Sequence, residues 1–404
     1  MAEQEVDILI IGGGLTGAAL MLALEGKGCR VLLVDANAIS ARVSPDFDAR
    51  TLALSSASVR ILQQLAVWPF LAKEATPIES IHISEQYRFG TTLLRNKESH
   101  SLGFVVEMQH VSRAINQLLN HETILAPARL TALDSSLGIA TVKQGDKERV
   151  IRAKLVVAAD GAHSSVRTLA GLEVTTKDYF QQALIANIGL SRSHANRAYE
   201  RFTHSGPLAL LPMTEKRASL VWALRSAEAT QLMTISEHEF LKQLQQAFGY
   251  RLGRLQKVGK RFIYPLSQVI MPRPAVWPLV FVGNAAHTLH PVAGQGFNLG
   301  LRDVATLAQC IVQYGLNADM LEQYQTMRRY DQASIIQFTD KLVDIFTTRL
   351  PGLGLLRGLS LVAVDTLPGL QTALKHHAGG FAGIAPDLVC GIDLATGRHD
   401  DSSV

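Results

Sequence analysis

The chain has 404 residues, of which 47% are hydrophobic and 18% charged, with a formal net charge of +4. This composition excludes disordered and fibrous proteins, and it provides enough apolar side chains for two domains or for one large domain with an insertion. The charges form no blocks of one sign, so the sequence gives no support for nucleic-acid binding.

The sequence also argues against secretion and against a membrane-spanning helix. The three cysteines are far apart and form no C-x-x-C pair, which fits a reducing compartment. The first residues, MAEQEVDILIIGGG, lack the basic start of a signal peptide. The most apolar run, Leu350 to Leu370, contains Arg357, Asp365 and two prolines, so it falls short of the roughly 20 apolar residues that span a bilayer. We predict a cytoplasmic protein that is soluble or peripheral at the inner face of the cytoplasmic membrane.

The first elements in the chain predict a parallel β-α-β unit. Val6–Ile11 is a short apolar run that ends in three glycines, Ala18–Leu24 has helical spacing, and Arg30–Val34 is a second strand of the buried type. A helix is predicted at Ser55–Leu65, and alternation of polar and apolar residues begins around Ser80–Ser84.

The middle of the chain predicts antiparallel strands, and the last predicted strand again has the buried pattern of a parallel sheet. The predicted strands here are Ala128–Asp134, Gly138–Lys143, Arg149–Arg152, Lys154–Ala159, Ala198–Thr203, Leu208–Met213, Ala218–Leu224 and Trp277–Val282. Alternating strands dominate from about Tyr179 to Tyr264, whereas Trp277–Val282 again has the buried type, and the remainder is helical. The sequence therefore predicts a discontinuous nucleotide-binding domain with an antiparallel domain inserted into it.

A glycine turn follows the first strand. Gly12-Gly13-Gly14-Leu15-Thr16-Gly17 matches G-x-G-x-x-G, in which Gly12 permits the tight turn, Gly14 lets a pyrophosphate approach the backbone, and Gly17 permits helix–strand packing. Asp35 ends the next strand, where an acceptor for a ribose hydroxyl belongs. An acid at this place favours FAD or NAD over NADP.

A second glycine-rich stretch, GNAAHTLHPVAGQGFNLGLRD, runs from Gly283 to Asp303. It lies between a predicted strand and a helix, and its side-chain-free positions indicate that the backbone approaches another group closely. An ordinary NAD dehydrogenase does not need such a stretch.

Three motifs together resemble the class A flavoprotein aromatic hydroxylases, which have the para-hydroxybenzoate hydroxylase fold. They are the first glycine turn, Asp160-Gly161 followed by Ser164 and Arg167, and the stretch that begins at Gly283. The resemblance implies FAD as cofactor and NAD(P)H as co-substrate. It also implies that Asp160 and Gly161 contact these dinucleotides.

The resemblance gives roles to the stretch that begins at Gly283. Gly283 and Asn284 should lie by the ribityl chain and pyrophosphate, and Pro291 near the isoalloxazine. Gly294, Gly296, Phe297 and Asn298 should present backbone to the flavin pyrimidine ring. Helix N-terminal N–H groups can stabilise the negative charge that develops there. The family usually has Asp where this chain has Asn284, and an amide can still make hydrogen bonds.

A closer resemblance is to the ubiquinone-biosynthesis hydroxylases, including those of the 2-octaprenyl-6-methoxyphenol type. Phe47–Leu54 is similar to their D-x-R-x-x-A-L segment, which makes Arg50 a candidate partner of the FAD pyrophosphate. ERFTHSGPLALLPM, SLVW and GKRFIYPL are similar to further segments of these enzymes. The implied reaction is hydroxylation of a polyprenylated phenol with O2 through a C4a-hydroperoxyflavin.

The expected fold is α/β. It has an FAD-binding, Rossmann-like parallel sheet of the glutathione-reductase type, an inserted and mainly antiparallel substrate domain, and a C-terminal helical region. The predicted boundaries are 1–75, 100–178 and 265–335 for the FAD-binding domain, 76–99 and 179–264 for the substrate domain, and 336–404 for the C-terminal region.

Several alternatives remain open from the sequence. No catalytic base can be assigned, since Tyr264, His287, His290 and Pro291 could line the substrate cavity or simply be packed. No metal site is predicted, because His287 and His290 have no third ligand, and no G-x-S-x-G elbow indicates a hydrolase. The alternative functions are hydroxylation of another ring position in the same pathway, hydroxylation of a small soluble phenol, and a role as a non-catalytic flavin-binding assembly subunit.

The C-terminal apolar stripe has two interpretations. Its residues are Ile335, Ile336, Phe338, Leu342, Val343, Ile345, Phe346 and Leu350. It could pack against the first domain, as most amphipathic helices do, or it could contact a membrane that dissolves the substrate. A ubiquinone-biosynthesis complex is a further possible partner.

Overall fold

The computed structural model describes residues 3–38, 50–95, 101–290, 294–347, 353–367, 369, 371–372, 379 and 385–394. Their strands are β1 (Glu3–Ile11), β2 (Val31–Val34), β3 (Thr51–Ser55), β4 (Thr76–Ile78), β5 (Ser80–Glu85), β6 (Thr91–Arg95), β7 (Gly103–Glu107), β8 (Ile124–Leu125), β9 (Arg129–Asp134), β10 (Ile139–Gln144), β11 (Lys147–Ala158), β12 (Thr175–Leu190), β13 (Arg197–Phe202), β14 (Pro207–Pro212), β15 (Arg217–Arg225), β16 (Leu255–Val258), β17 (Phe262–Ile270), β18 (Ala275–Val276), β19 (Leu279–Phe281) and β20 (His287–Thr288).

The described helices alternate with these strands in the first part of the chain and dominate the last part. They are α1 (Leu15–Leu24), α2 (Ser56–Gln64), α3 (Met108–Leu118), α4 (Ser165–Leu169), α5 (Ser226–Thr234), α6 (Glu237–Phe248), α7 (Gln295–Tyr314), α8 (Ala318–Thr347), α9 (Leu353–Thr366) and α10 (Asp387–Cys390).

The first sheet has eight strands in the order β18-β19-β11-β1-β2-β8, with β10 and β9 added beside β11. β1 pairs in parallel with both β2 and β11, and β11 pairs in parallel with β19. One apolar cluster joins this sheet to α1, α3 and α7, and a second covers its other face. Burial of both faces explains the continuous apolar runs of its central strands.

The second sheet has nine strands in the order β20-β17-β12-β15-β14-β13-β5-β6, with β16 beside β12. Its pairs are antiparallel except that β13 and β5 are parallel. One face packs on α5 and α6 through a buried cluster that includes Trp222, Phe240 and Phe248. A third, three-stranded sheet has the order β3-β7-β4. The predicted α/β fold with a parallel sheet and a largely antiparallel second sheet is confirmed.

Two predicted strands are in fact one. Arg149–Arg152 and Lys154–Ala159 form one strand, β11, which ends at Ala158, because β1 pairs with it continuously from Glu3 with Val150 to Ile11 with Ala158. The first half of β11 also pairs with β10, and the second half pairs with β19. β11 is therefore a single strand that pairs with β10 in its first half and with β19 in its second half.

Two further details differ from the sequence expectations. Trp277–Val282 is a tight connection followed by a strand, because β18 and β19 pair with each other as a hairpin. Helices α5 and α6 interrupt the region predicted as strands. A capping signal was present, since the side chain of Ser236 accepts a hydrogen bond from Glu239 N at the start of α6. The domain boundaries stay a prediction, and α8 passes through residue 336 without a break.

Candidate functional site

The first glycine turn joins β1 to α1. Gly12 has φ +105°, and a Cβ there would lie 2.5 Å from the carbonyl oxygen of Ala159. A Cβ at Gly17 would lie 2.0 Å from the carbonyl oxygen of Gly12, so the helix starts too close to the turn for any side chain. At Gly14, by contrast, a Cβ would meet no atom within 4 Å. Gly14 caps α1 without a side-chain hydrogen bond, which leaves the first N–H groups of α1, at Leu15 and Thr16, to an external acceptor.

Asp35 follows β2 at the same edge of the first sheet. Its Oδ2 accepts a hydrogen bond of 2.6 Å from Gly13 N, and its Oδ1 accepts one of 2.7 Å from Asn37 N. A carboxylate oxygen has two lone pairs, so each oxygen can still accept from a hydroxyl group. The carboxylate is therefore fixed beside the glycine turn in a form that can bind a ribose.

Asp160 and Gly161 follow β11. Asp160 Oδ2 accepts hydrogen bonds from Ser165 N at 2.7 Å, Ser165 Oγ at 2.8 Å and Val166 N at 3.2 Å, which fixes the start of α4. The other oxygen, Oδ1, is buried and has no hydrogen-bond partner among the described residues. Gly161 has φ +83°, and a Cβ there would meet nothing within 4 Å. A buried acceptor beside open space fits a bound group that donates a hydrogen bond.

Arg167 connects this second motif to the third. Its Nη1 donates a hydrogen bond of 3.0 Å to the carbonyl oxygen of Ala285, and its Nη2 donates one of 2.5 Å to that of Ala162. Ser164 Oγ accepts from Arg167 N at 3.1 Å and so caps α4. In this structure both residues therefore hold loops in place through the backbone.

The third motif packs directly against the first. Gly283 has φ +57°, and a Cβ there would lie 3.0 Å from Thr16 Oγ1. A Cβ at Gly300, inside α7, would lie 3.2 Å from the same oxygen. Thr16 therefore occupies the place that side chains at Gly283 and Gly300 would need. Gly300 was missed by the sequence reasoning, although a glycine inside a helical pattern is itself a sign of close packing.

Helix α7 begins at a second glycine without a side-chain cap. Gly294 has a left-handed conformation with φ +61°, and a Cβ there would lie 3.1 Å from the Cβ of Ala53. A Cβ at Gly296 would come no closer than 3.9 Å to another atom, Asn284 Oδ1. Among the described residues, no side-chain cap accepts from the N–H groups at the start of α7.

Asn298 ties α7 to the segment that follows Arg50. Its Oδ1 accepts from Ser55 N at 2.9 Å and from Ser58 Oγ at 2.7 Å. Its Nδ2 donates to the carbonyl oxygens of Ala53 at 2.9 Å and Gly294 at 2.8 Å. The side chain is buried with four hydrogen bonds, so it orients the loop and leaves only its backbone to face a ligand.

The other predicted cofactor-binding residues are placed as follows. Arg50 is exposed, and its carbonyl oxygen accepts from Met108 N at 2.8 Å. Asn284 is exposed, whereas Phe297 is partly buried against the core beneath α7. Pro291 lies outside the described residues, as does Phe47–Ala49 of the segment before Arg50.

A buried ion network supports the loop from below. Asp303 Oδ2 accepts from Gly283 N at 3.0 Å and from His287 Nε2 at 2.6 Å, while its Oδ1 accepts from Arg328 Nε at 2.8 Å. Arg328 Nη1 also donates to Asp331 Oδ2 at 2.6 Å, and Arg302 Nε lies 3.1 Å from the same oxygen. Two arginines and two aspartates thus compensate one another in the core.

The charges in this network shift the titration of its members. His287 and Arg328 hold the pKa of the Asp303 carboxyl well below its usual range against the opposing effect of burial. Burial lowers the pKa of the Arg302 guanidinium to about 10. The sequence reasoning assigned no role to Asp303, yet a charged residue among Leu299, Leu301 and Val304 on an apolar helix was a sign of a buried ion pair.

The candidate residues for a substrate cavity separate into different environments. Tyr264 on β17 is 39% exposed, whereas His290 is 1% exposed, and its ring centroid lies 5.1 Å from that of Tyr179. Desolvation lowers the pKa of His290 to about 4, so its imidazole is neutral at physiological pH. His287 is bound to Asp303 and supports the loop. Within the described ranges, no three His, Cys, Asp or Glu side chains form a group that could hold a metal ion.

The chain is similar to known proteins along nearly its whole length. The sequence model of the family described as FAD binding domain matches residues 5–339. A ubiquinone hydroxylase, UbiL, of Rhodospirillum rubrum is 36% identical over 97% of this chain and 94% of its own. The 3-demethoxyubiquinol 3-hydroxylase of Escherichia coli is 33% identical over 94% of this chain and 100% of its own. The chain belongs to the FAD-dependent ubiquinone-hydroxylase family.

The fold agrees with this membership. The crystal structure of para-nitrophenol 4-monooxygenase from Pseudomonas putida superposes with a TM-score of 0.76 at 18% identity, over 95% of this chain and 99% of that one. At this identity the likeness concerns the fold alone. The protein is therefore an FAD-dependent monooxygenase, and the predicted cofactor and enzyme class are confirmed. The roles of individual site residues stay predictions.

The open position at Gly14 allows a test of the glycine turn. Gly14 has φ −64°, which alanine adopts without strain, and its Cβ would meet no protein atom within 4 Å. We expect Gly14→Ala to fold with an unchanged melting temperature in the absence of FAD. If the pyrophosphate lies at this turn as predicted, the methyl group would enter its space, and FAD should bind about tenfold or more weakly, or about 1.4 kcal/mol. Titration followed by flavin fluorescence measures this.

Gly369→Ala is the matched control, because a Cβ at Gly369 also meets nothing within 4 Å. It should leave FAD affinity unchanged. Equal FAD affinity in Gly14→Ala and the unsubstituted protein would contradict the placement of the pyrophosphate at this turn.

The ion network predicts a strong effect of Asp303→Asn. The change leaves Arg328 buried without its full counter-charge, so we expect a loss of about 3–5 kcal/mol in the free energy of unfolding. The pKa of Asp303 is depressed, so its stabilisation is complete above the ordinary carboxyl pKa and is lost only as pH falls through the folded value. The difference should therefore be the same at about pH 6 and pH 8.

Urea denaturation at both pH values measures this difference. Asp319→Asn, at the exposed start of α8, is the control and should cost no more than about 1 kcal/mol. A cost at Asp303 as small as that of the control would show that the network is not needed for stability.

Proposed function

We propose that the protein hydroxylates a polyprenylated phenol of the 2-octaprenyl-6-methoxyphenol type in ubiquinone biosynthesis, with NAD(P)H as reductant and O2 as co-substrate. The main structural support is the convergence of two uncapped helix N-termini, at Gly14 and Gly294, with the open space at Gly161 and the buried acceptor Asp160 Oδ1. The names of the Rhodospirillum and Escherichia relatives support a ubiquinone precursor as the substrate.

The first half of the proposed FAD site would hold the ADP part of the cofactor. Backbone N–H groups at Leu15 and Thr16, in the turn formed by Gly12, Gly14 and Gly17, would bind the pyrophosphate. Arg50 would add a charged partner for the same group. Asp35 would accept from the adenosine ribose, and Asp160 with Gly161 would contact the middle of the cofactor.

The second half would hold the flavin end. Gly283 and Asn284 would contact the ribityl chain and pyrophosphate. The backbone of Gly294, Gly296, Phe297 and Asn298 would face the flavin pyrimidine ring, and Pro291 would lie near the isoalloxazine. The N–H groups at the start of α7 suit negative charge that develops on that ring. The four hydrogen bonds of Asn298 and the bond from Gly283 N to Asp303 would keep this backbone in place.

Bound FAD supplies the hard chemistry, which is acceptance of electrons from a nicotinamide and activation of O2. The protein orients the phenol and excludes water between the second sheet and the loop at Gly283. Side chains on that face of the second sheet are mostly small or aliphatic, including Ala183, Ala223 and Leu266. Such a face suits a substituted aromatic ring.

The proposed membrane contact concerns α9. Leu359 and Val362 on this helix, and Leu367 directly after it, are 50%, 39% and 53% exposed. Asp365 Oδ1 accepts from Leu93 N at 2.9 Å, so the helix is attached to the edge strand β6 of the second sheet. Ile335 in the predicted apolar stripe is instead buried against Leu289 and Leu299. Of the described helices, none has both the length and the apolarity needed to cross a bilayer.

The reaction predicts a specific product. Full-length protein loaded with FAD should oxidise NADH or NADPH faster when a short-chain analogue, 2-methoxy-6-prenylphenol, is added with O2. Mass spectrometry should find one added oxygen atom in the product, and the label should appear when isotopically labelled O2 is used. A labelled product from labelled water, or no product from any prenylated phenol, would overturn the proposed reaction. If a product forms only from small phenols that lack a prenyl chain, the soluble-phenol alternative is favoured.

Flotation with vesicles tests the membrane contact. Vesicles of phosphatidylethanolamine and phosphatidylglycerol should bind the protein, and the double substitution Leu359→Gln with Val362→Gln should reduce binding about tenfold or more. Each apolar side chain contributes roughly 1.5–3 kcal/mol when fully buried. Leu137→Gln, at an equally exposed leucine (57%) in the turn between β9 and β10, is the control. Equal flotation of all three proteins would exclude α9 as the contact.

A further inference from the structure

Glu200 on β13 carries a carboxylate that the site described above does not use. Side chains alternate between the two faces of a strand. The ring of Tyr199 lies 5.4 Å from that of Phe248 in α6, so Tyr199 belongs to the face that the helices cover. Ala198 packs on the opposite face against Ile78 and Val105. Glu200 shares the face of Ala198 and therefore points away from α5 and α6.

The strand pairing places Glu200 within a row of mostly small and aliphatic residues, between Ile83 of β5 and Ala209 of β14. Glu200 pairs with Ala209, Ala209 pairs with Val221, and Val221 pairs with Ile185. The row has no charged member apart from Glu200. It crosses the face of the second sheet that lies opposite the helices.

The two neighbouring rows lead to segments of the FAD site. On one side, Ser219 Oγ accepts from Thr51 Oγ1 at 2.9 Å, and Thr51 directly follows Arg50. On the other side, Ala223 belongs to a cluster with Tyr179, whose ring contacts His290 of the glycine-rich loop. The row that contains Glu200 lies between these two neighbouring rows, because its member on β15, Val221, lies between Ser219 and Ala223.

The carboxylate of Glu200 has no hydrogen bond and no ion pair within the part of the chain that the structure describes. The residue is partly exposed to solvent. Burial by the surrounding protein raises its pKa from 4.5 to about 7. A carboxylate in such surroundings normally has a partner, and the accessible surface here indicates that the partner is a ligand.

The neighbouring ionisable groups do not supply that partner. On the same face are Glu85 of β5, Arg217 of β15 and Tyr264 of β17, and Arg217 Nη2 already binds Glu107. Helix α9, which packs against β5 and β6, directs Asp365 to the backbone of Leu93. None of these groups contributes to the raised pKa of Glu200, which has burial as its cause.

We propose that Glu200 accepts the proton of the phenolic hydroxyl of the substrate. This inference rests on the proposed function. The O–H bond breaks, the proton moves to a carboxylate oxygen of Glu200, and the electron pair stays on the phenol oxygen. The resulting phenolate has the electron-rich ring that hydroxylation by an electrophilic oxygen needs. The carboxyl group returns the proton to water when the product leaves.

The group is suited to this task. A general base works best when its pKa lies near the operating pH, and a carboxyl with a pKa of about 7 meets that condition where an ordinary one does not. The aliphatic row beside it offers a surface for the ring and its prenyl substituent.

The test compares Glu200→Gln and Glu200→Asp with the unsubstituted full-length protein loaded with FAD. Glu148→Gln, at an exposed glutamate of β11, is the matched control. The first probe is para-nitrophenol, whose anion is yellow. Difference spectra should show that the probe ionises on binding to the unsubstituted protein and to Glu148→Gln. With Glu200→Gln the bound probe should stay protonated, and Glu200→Asp should give an intermediate result.

Turnover of 2-methoxy-6-prenylphenol provides the second readout. In the unsubstituted protein, kcat should fall as pH decreases through about 7, because Glu200 becomes protonated. Glu200→Gln should lower kcat by about 100-fold and remove this inflection. FAD content, measured by absorbance, should be equal in all variants.

Thermal unfolding without substrate gives a third readout that needs no turnover. The folded pKa of Glu200 is raised, so stability is lost as pH rises through about 7 and the carboxyl ionises. Glu200→Gln should therefore raise Tm above that of the unsubstituted protein at about pH 8.5 and have no such effect at about pH 4, below the ordinary carboxyl pKa.

Each failure has a distinct meaning. If the bound probe ionises equally with Glu200→Gln and the pH profile of kcat is unchanged while hydroxylated product forms, Glu200 is not the base and the proposed function stands. If the unsubstituted protein binds no phenol and forms no hydroxylated product, both the proposed function and this inference are overturned.

Discussion

The close contact between the starts of α1 and α7 is the constraint on which the rest of the site depends. A Cβ atom at Gly283 would lie 3.0 Å from Thr16 Oγ1, and a Cβ atom at Gly300 would lie 3.2 Å from the same oxygen. Two helix N-termini can approach each other in this way only when side chains are absent from the contact. The result is a pair of N-termini without side-chain caps at one edge of the first sheet, which favours an anionic dinucleotide.

Two kinds of interaction maintain this arrangement. Asn298 fixes the start of α7 to β3 and α2 through neutral hydrogen bonds, and Asp303 fixes Gly283 and His287 to Arg328 through buried charges. The charged network is costly to break because either partner alone would be a buried, uncompensated ion. Both interactions act on the same loop from the side that faces the core, so its other side stays available for a flavin.

In the proposed function, the second sheet contributes the substrate side of the enzyme. Its helix-covered face is an apolar core, whereas its other face has small side chains and the carboxylate of Glu200, which has no hydrogen bond or ion pair among the described residues. A partly buried carboxylate without a counter-charge destabilises the folded protein when it is ionised. Such a group is therefore a candidate for a functional role.

The sequence by itself determined the parallel β-α-β start and the dinucleotide-type glycine turn, because these depend on local backbone geometry at glycines and on short-range spacing. The enzyme class came from the resemblance of three motifs to a known family. It did not determine that β11 is one strand, since that follows from pairing with β1 along its full length. The packing of Gly300 and the ion pairs of Asp303 also came only from the tertiary structure, because each depends on partners far away in the chain. The proposal for Glu200 likewise depends on its place in the second sheet. Residue type and spacing specify which secondary structure a segment can form. Burial and tertiary contacts specify which charged side chains form ion pairs and which are left to interact with a ligand.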